Sequence, residues 1–351
     1  MSIVTGEQGT LMIRTAATLA SILAISTVTH ACNVPVFRYA LERWRPDAYD
    51  AIVFHDGRLS PADSTLVQRM ADASAEPVHA NLRTNLANVN DSLPRWVRSV
   101  WTAQKPSGFP WMVVCQSQLH NHHPVWSGPL SADAVRATTQ SPIRLETAKR
   151  LLSGESAVWL MVQSGNKAAD RAAWDTLQAA IRTMNDSLKL PKPDDNIALY
   201  INVSARVPLM IRFSALAISR ADPAEQIFLR ILTAGKLDLD TLKGPAVSMI
   251  FGRGRNLDVL SGKHISARVI RQACRFLVGI CSCTIKESNP GVDMLMAVDW
   301  DGGLAGSLTP EPLPSLTGMT TMGKEADAVK TAPAAGDSSG RKNATAKKGG
   351  K

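Results

Sequence analysis

Two periods alternate along this chain. Short apolar runs of the strand type are separated by stretches in which apolar residues return every three or four positions, the spacing of one helix face. Residues 36–44 are a short amphipathic helix closed by Pro46. Residues 49–55 then read as a strand. Ser60-Pro61 caps a helix through Met70, residues 78–82 alternate as a second strand, and residues 93–104 form a helix. Phe109-Pro110 opens a strand over 111–115, a loop with three histidines follows, residues 125–126 make a short return strand, and Ser131 caps a last helix. The order is β-α-β-α-β-β-α.

That order then starts again. A connecting helix over 141–152 carries Pro142 in its first turn and Gly154 just past its end. Residues 157–163 are a buried strand, residues 167–188 a helix with Trp174, Leu177, Ile181, Met184 and Leu188 along one face, and residues 209–219 contain a strand. Asp222-Pro223-Ala224-Glu225 reads as a capping box for a helix that buries Ile227, Phe228, Ile231 and Leu232. Residues 247–251 and 257–260 form a hairpin around the turn residues 252–256. Arg253 and Arg255 in that turn read as solvated, with an anion site beside exposed N–H groups as the other reading. Ser266 caps the final helix, and Gly279 is expected to close it in the left-handed conformation. Past it, residues 294–298 read as one more strand ending in Asp299-Trp300-Asp301.

With Pro110 and Pro245 each standing just before the hairpin, both halves resemble the thioredoxin fold over roughly residues 47–278. The resemblance implies an α/β protein of two tandem thioredoxin-like domains, βαβαββα each, with a Cys-containing C-terminal extension. The expected boundaries are a signal peptide over 1–31, a first domain over 32–140, the connecting helix over 141–154, a second domain with the extension over 155–302, and a disordered tail over 303–351. It also implies that Pro110 and Pro245 are cis and border a partner groove. A thioredoxin-type redox centre needs Cys-X-X-Cys where the helix after the first strand begins, since a helix N-terminus stabilises the thiolate. Those positions read His55-Asp56-Gly57-Arg58-Leu59-Ser60 and Ser164-Gly165-Asn166-Lys167-Ala168, without cysteine. The resemblance therefore implies the scaffold without its dithiol chemistry. The stretches ACNVPVFRYALERW and CSCTIKESNPGVDMLMAVDWD are also similar to an uncharacterised family of exported proteins from planctomycete-type bacteria, a likeness that implies export and no activity.

Composition changes this picture in two places. At 351 residues and 45% hydrophobic content the chain can bury two ordinary cores. The net charge of +9 suggests nucleic acid until it is mapped: from Lys324 onward seven Lys or Arg face three acidic residues, and the rest of the excess is spread without a dense basic run. No specific nucleic-acid partner is expected. Beyond residue 302 hydrophobic periodicity ends, so the tail is expected to be disordered. Near the start, Arg14, the uncharged stretch 15–28 and the small residue Ala31 read as an export signal cleaved before Cys32, with Met12 as an alternative start. The apolar run is shorter than the ~20 residues a spanning helix needs. Periplasm or cell envelope is the expected location. Cys32 is a lipidation candidate and membrane tether, although Thr29-His30-Ala31 departs from the usual lipobox.

Candidate chemistry rests on few residues. Cys115 and Cys274 fall in core-type positions. Cys281 and Cys283 leave three readings open: a readily reduced disulfide, two thiolates for copper or zinc, or a structural pair, which includes a disulfide with Cys32. His120, His122 and His123 are metal candidates or residues of an exposed turn. The sequence holds no P-loop, no Gly-X-Ser-X-Gly, no His-Glu-X-X-His and no Rossmann glycine pattern, which argues against familiar hydrolase and nucleotide classes. The leading expectation is a non-catalytic exported binding module that needs no cofactor, with a groove beside Pro110 and Pro245 for an envelope protein partner. A thiol-redox or soft-metal-handling protein is the alternative.

Overall fold

Every strand that is apolar at nearly all positions lies at the centre of a sheet, as expected where both faces are covered. The computed structural model describes residues 32–72, 79–190, 206–233, 237–238, 240–281 and 285–305, with the backbone alone at Cys32, Asn33, Ile280 and Cys281. The expected signal peptide, Cys283 and residues beyond 305 lie outside the described residues.

The chain opens with β1 (Cys32–Pro35) and α1 (Val36–Arg43). The first sheet takes β2 (Tyr49–His55), β3 (Leu82–Asn88), β4 (Trp111–Cys115) and β5 (Pro124–Pro129) in the order β3-β2-β4-β5. In it β2 runs parallel to β3 and antiparallel to β4, which pairs antiparallel with β5. Its helices are α2 (Pro61–Asp72), α3 (Arg95–Thr102) and α4 (Ala132–Thr139), and α5 (Pro142–Leu152) leads onward. The second sheet holds β6 (Ala157–Gln163), β7 (Phe213–Ser219), β8 (Ala246–Phe251), β9 (Arg255–Ser261) and β11 (Val292–Asp293) in the order β11-β9-β8-β6-β7. Again the first strand, β6, has one parallel neighbour, β7, and an antiparallel hairpin, β8-β9, on its other side. The accompanying helices are α6 (Lys167–Ser187), α7 (Gln226–Thr233) and α8 (Ala267–Val278), followed by the two-residue β10 (Ile280–Cys281) and the short α9 (Trp300–Leu304).

One core joins the two sheets. Tyr49, Ala51, Val53, Met112 and Val114 from the first sheet share a cluster with Val158, Leu160, Val162 and Ile250 from the second, and α2, α5 and α7 add Met70, Leu151, Phe228 and Ile231. The opposite face of the first sheet packs Ile52, Phe54 and Val113 against Val97 and Val100 of α3. The opposite face of the second packs Trp159, Met161 and Phe251 against α6, α8 and α1.

Several local expectations are corrected. The second strand is β3, residues 82–88, not 78–82: it is an edge strand, exposed at Arg83, Asn85 and Leu86, so little apolar signal marks it. Residues 294–298 run without a strand ladder apart from a bridge between Ala80 and Ala297, and Met294, Leu295 and Met296 supply burial instead of pairing. Gly279 is extended, at φ −61°, because the chain passes straight into β10. Asp222 does accept from Ala224 N at 2.9 Å, but the Glu225 carboxylate turns away and accepts from Ile143 N at 2.8 Å, so it caps α5. Finally, α9 runs past the expected start of the tail at residue 303, and Leu304 is buried.

The largest correction concerns the hairpin turn. Arg253 and Arg255 are 7% and 6% exposed, neither solvated nor available to an anion. Arg253 donates from Nε to Leu41 O at 2.8 Å and from Nη2 to Glu42 O at 3.0 Å, closing the C-terminal carbonyls of α1. Gly252 has φ +56°, and a Cβ there would stand 2.8 Å from Ala40 Cβ. Glycine is required because α1 lies directly on the turn.

Gly262 shares the left-handed conformation, at φ +54°, but a Cβ there meets nothing within 4 Å. Gly262→Ala should therefore cost about 1 kcal/mol, and Gly252→Ala about 1–3 kcal/mol more from the clash with Ala40; equal costs in urea titrations would remove the stated role of α1. Glu225 has no exposed surface, and burial raises its pKa. A raised folded pKa makes the folded state hold the proton more tightly, so its contribution is full below the unfolded value and is lost as pH rises through the folded one. The stability of Glu225→Gln relative to the native chain should increase over that window, and a pH-independent difference would contradict the assignment.

Candidate functional site

The C-terminal end of β2 points toward the start of α2, the place where the resemblance would put reactive thiols. Ser60 stands there as the helix cap. Its hydroxyl accepts from Asp63 N at 3.1 Å and donates to Asp63 Oδ2 at 2.6 Å. His55 Nδ1 lies 2.5 Å from the carbonyl oxygen of Gly57, tying down the loop before the cap. Across from this end, β4 begins after Phe109-Pro110, whose peptide bond is cis, and the Pro110 carbonyl accepts from Leu130 N at 3.0 Å.

Aromatic rings lead from the core to the surface at this point. Phe54 is buried under α3; the ring of Trp101, in the last turn of that helix, lies 4.8 Å from it, and the ring of Phe109 stacks on Trp101 at 5.4 Å. Phe109 is 39% exposed, so the outermost ring of the series faces solvent beside Pro110. Trp111 flanks it and donates from Nε1 to Gln104 Oε1 at 3.4 Å. An apolar, aromatic, partly exposed end of this kind can grip an extended chain by stacking and burial, with no reactive group needed. The sequence reading named Pro110 and missed Phe109 and Trp101. A signal existed, since three of the eight tryptophans fall within residues 96–111.

The second half is built differently at the matching end. Gly244-Pro245 is not cis. The Asp170 carboxylate accepts from Ser164 N at 2.8 Å, Ser164 Oγ at 2.7 Å and Gly165 N at 3.0 Å, and so fills the loop between β6 and α6. Arg220 donates to Leu242 O at 2.6 Å and Gly244 O at 3.0 Å, fixing the approach to Pro245. A surface cleft of about 300 Å³ lies here, with Met161, Trp174 and Ala217 as apolar lining and the exposed Lys167 and Arg171 beside them.

The histidines separate. His122, with φ +49°, folds back over the first sheet, stacks on Trp96 at 3.9 Å and places Nδ1 3.3 Å from Oδ2 of Asp50. That separation suits an ion pair, but the angle does not make a hydrogen bond. Asp50, 3% exposed, is also paired by Arg83 Nε at 3.1 Å. His120 is half-buried and His123 exposed, and among the described residues no group of three or more His, Cys, Asp or Glu could hold a metal ion.

The cysteines divide as well. Burial pushes the thiols of Cys115 and Cys274 up to about 12, with Asp50 adding to the effect at Cys115, so both stay protonated at neutral pH. Cys281 lies in β10 as the register partner of Cys32 in β1.

No protein-family model matches this chain, and no curated protein matches it.

The Asp50, His122 and Trp96 arrangement yields a test of its own. His122→Ala should cost about 0.5–1.5 kcal/mol, the scale of a stacked ring pair. In a Trp96→Phe, His122→Ala double-mutant cycle measured by urea denaturation the two losses should be non-additive. Additive losses would show that the rings do not support each other.

Proposed function

We propose that the chain is an exported, non-catalytic module of two tandem thioredoxin-like domains that holds an extended segment of a protein partner at the cell envelope. The single observation that carries the reading is the end of β2. There a capping serine occupies the helix start, and an exposed aromatic ring stands beside Pro110. The thioredoxin-like part is supported by the repeated sheet order, in which the first strand of each half has a parallel neighbour on one side and an antiparallel hairpin on the other. The non-catalytic part is supported by Ser60 and Asn166 as caps of α2 and α6, where a dithiol centre would need cysteine. Export is supported by the charge and apolar pattern of residues 12–31. The occupant is an extended segment with an apolar or aromatic side chain, because Phe109 and Trp101 provide stacking area.

Binding to an immobilised panel of short peptides tests this reading, joined to an insulin-reduction assay and metal analysis of the same full chain. Peptides with aromatic or large apolar residues should be selected. Phe109→Asp should weaken them at least about tenfold, a typical loss for a buried aromatic anchor, while its melting temperature stays close to the native one. Undiminished binding by Phe109→Asp would remove the groove. Insulin reduction, or copper or zinc lost on changing Cys281 and Cys283 to serine, would replace the binding module with the redox or metal alternative.

A further inference from the structure

We propose that the outer edge of β7 docks an extended segment of a partner protein, which adds to the second sheet as a further strand and sets a large apolar side chain and a carboxylate at the cleft beside α6. The strand edge carries the first half of the inference. Each sheet ends in two outer strands, β3 and β5 in the first and β11 and β7 in the second. Soluble proteins blunt such edges with charge, proline, bulges or shortness, because a bare edge templates another strand. β5 is bounded by Pro124 and Pro129, β3 carries Arg83, and β11 has two residues. β7 has seven residues with no charge, no proline and an unbroken register against β6.

Hydrogen bonds identify the groups that face outward. The Asn185 side chain donates to Phe213 O at 3.0 Å and accepts from Phe213 N at 2.9 Å, so Phe213 turns its main chain away from β6. Backbone groups alternate along a strand, which gives Ala215, Ala217 and Ser219 the same direction. Ala215 O takes a long bond from Arg150 Nη1 at 3.5 Å, and Ser219 O accepts from Asp222 N at 3.1 Å. The N–H groups of Ala215 and Ala217 and the Ala217 carbonyl have no partner among the described residues. An added strand would pair that row.

The cleft carries the second half. Ala217 lies on the sheet face that packs α6, and with Met161 and Trp174 it forms the apolar walls of the space of about 300 Å³. A strand added to β7 projects every second side chain over this space. A large apolar residue fills it, and the charges beside it select a carboxylate. Asp170 is turned into its own loop and held by three donors, while Arg171 is paired with Asp175 at 2.8 Å. Lys167 is exposed in the first turn of α6 and has no ion pair among the described residues, at a helix end that already favours a negative group. The chain's own tail does not suit it, since from Lys324 onward seven Lys or Arg face three acidic residues. A second copy paired through β7 would bring only alanine and serine over the cleft and leave it unfilled. This edge shares no residue with the aromatic end at Phe109, so the inference does not rest on the function proposed above.

Residue-level hydrogen exchange on the full chain tests the edge. In the free protein the amides of Ala215 and Ala217 should exchange fast, and those of Leu216 and Ile218, which face β6, slowly. The probes are acetylated seven-residue peptides of alternating valine and threonine with a central phenylalanine and either glutamate or lysine two positions away. The glutamate peptide should slow exchange at Ala215 and Ala217 and bind about fivefold more tightly than the lysine one, the scale of an exposed ion pair. Lys167→Glu, which suits a first helical turn, should reverse that order. Ala217→Pro removes an outward N–H where an edge strand tolerates proline and should weaken binding at least about tenfold. N-methylation of the peptide amides that face β7 should do the same without altering the protein, which keeps the test decisive if Ala217→Pro changes the melting curve. Slow exchange at Ala215 and Ala217 in the free protein would overturn the proposal, because the edge would already be covered by the chain itself or by a second copy. So would no slowing with either peptide, binding that survives N-methylation, an unchanged charge preference in Lys167→Glu, or binding lost with Phe109→Asp, which would place the peptide at the other end.

Discussion

Asp293 is where the two sheets and the C-terminal extension meet, and its charge must be balanced for any of them to stay in place. The carboxylate is 4% exposed and accepts from Arg255 Nη1 at 2.9 Å, Lys286 Nζ at 2.8 Å and Asp47 N at 2.8 Å. Its own carbonyl accepts from the hydroxyl of Tyr49 at 2.8 Å. Arg255 begins β9 of the second sheet, Tyr49 begins β2 of the first, and Lys286 belongs to the extension. Two carboxylates, Asp293 and Asp47, therefore face two cations. Burial lowers the pKa of Lys286, but both carboxylates oppose that and the net shift is upward, so the ammonium stays charged. Burial pushes the Tyr49 phenol up and keeps it a donor. Removing one member of such a set leaves an uncompensated buried charge, a loss of roughly 3–5 kcal/mol.

The same economy of charge recurs at helix ends. Arg144 is buried, yet its guanidinium donates to Thr138 O and Ala137 O at 2.6 Å and to Leu295 O at 3.2 Å. It thus closes the C-terminus of α4 from inside the core, at the end where the helix dipole favours a cation. Burial lowers its pKa to about 10, which leaves it protonated at neutral pH. Arg253 does the same for α1, and Arg38 reaches Val207 O at 2.8 Å. Part of the formal charge of +9 is therefore internal structure and offers no surface for nucleic acid.

Legibility in the sequence tracked how many faces of an element are covered. β2, β6 and β8 are buried at almost every position and stood out as apolar runs, while β3 at the edge did not. The turn at residues 252–255 misled for a definite reason. Glycine and arginine together signal solvent, and only the approach of Ala40 from the far end of the chain shows why glycine is needed there. Residues 294–298 carried a true burial signal, but apolar character does not distinguish a paired strand from extended chain packed by side chains. At the candidate site Pro110 was visible because proline before a hairpin is a local mark. The stack of Phe54, Trp101 and Phe109 was not, since it joins a strand, a helix and a loop. Likewise Asp50 and His122 meet only when the loop after β4 folds back over the sheet.

The two halves share a sheet order and differ in what their ends are free to do. In the second half, the hairpin turn is covered by α1 and by the extension through Met296 and Trp300, and the loop before α6 is filled by the Asp170 carboxylate. In the first half, the face opposite the shared core is covered by α3, a helix of eight residues, and the rings at its C-terminal end reach solvent. That end presents aromatic surface and a helix start already satisfied by Ser60, so what it can offer is contact area. The thiols of Cys115 and Cys274 lie in the core, protonated and out of reach. The second half meets the first through the shared core and the charged joint at Asp293, and an aromatic surface fixed by packing loses less of a binding gain to ordering entropy than a loose segment would.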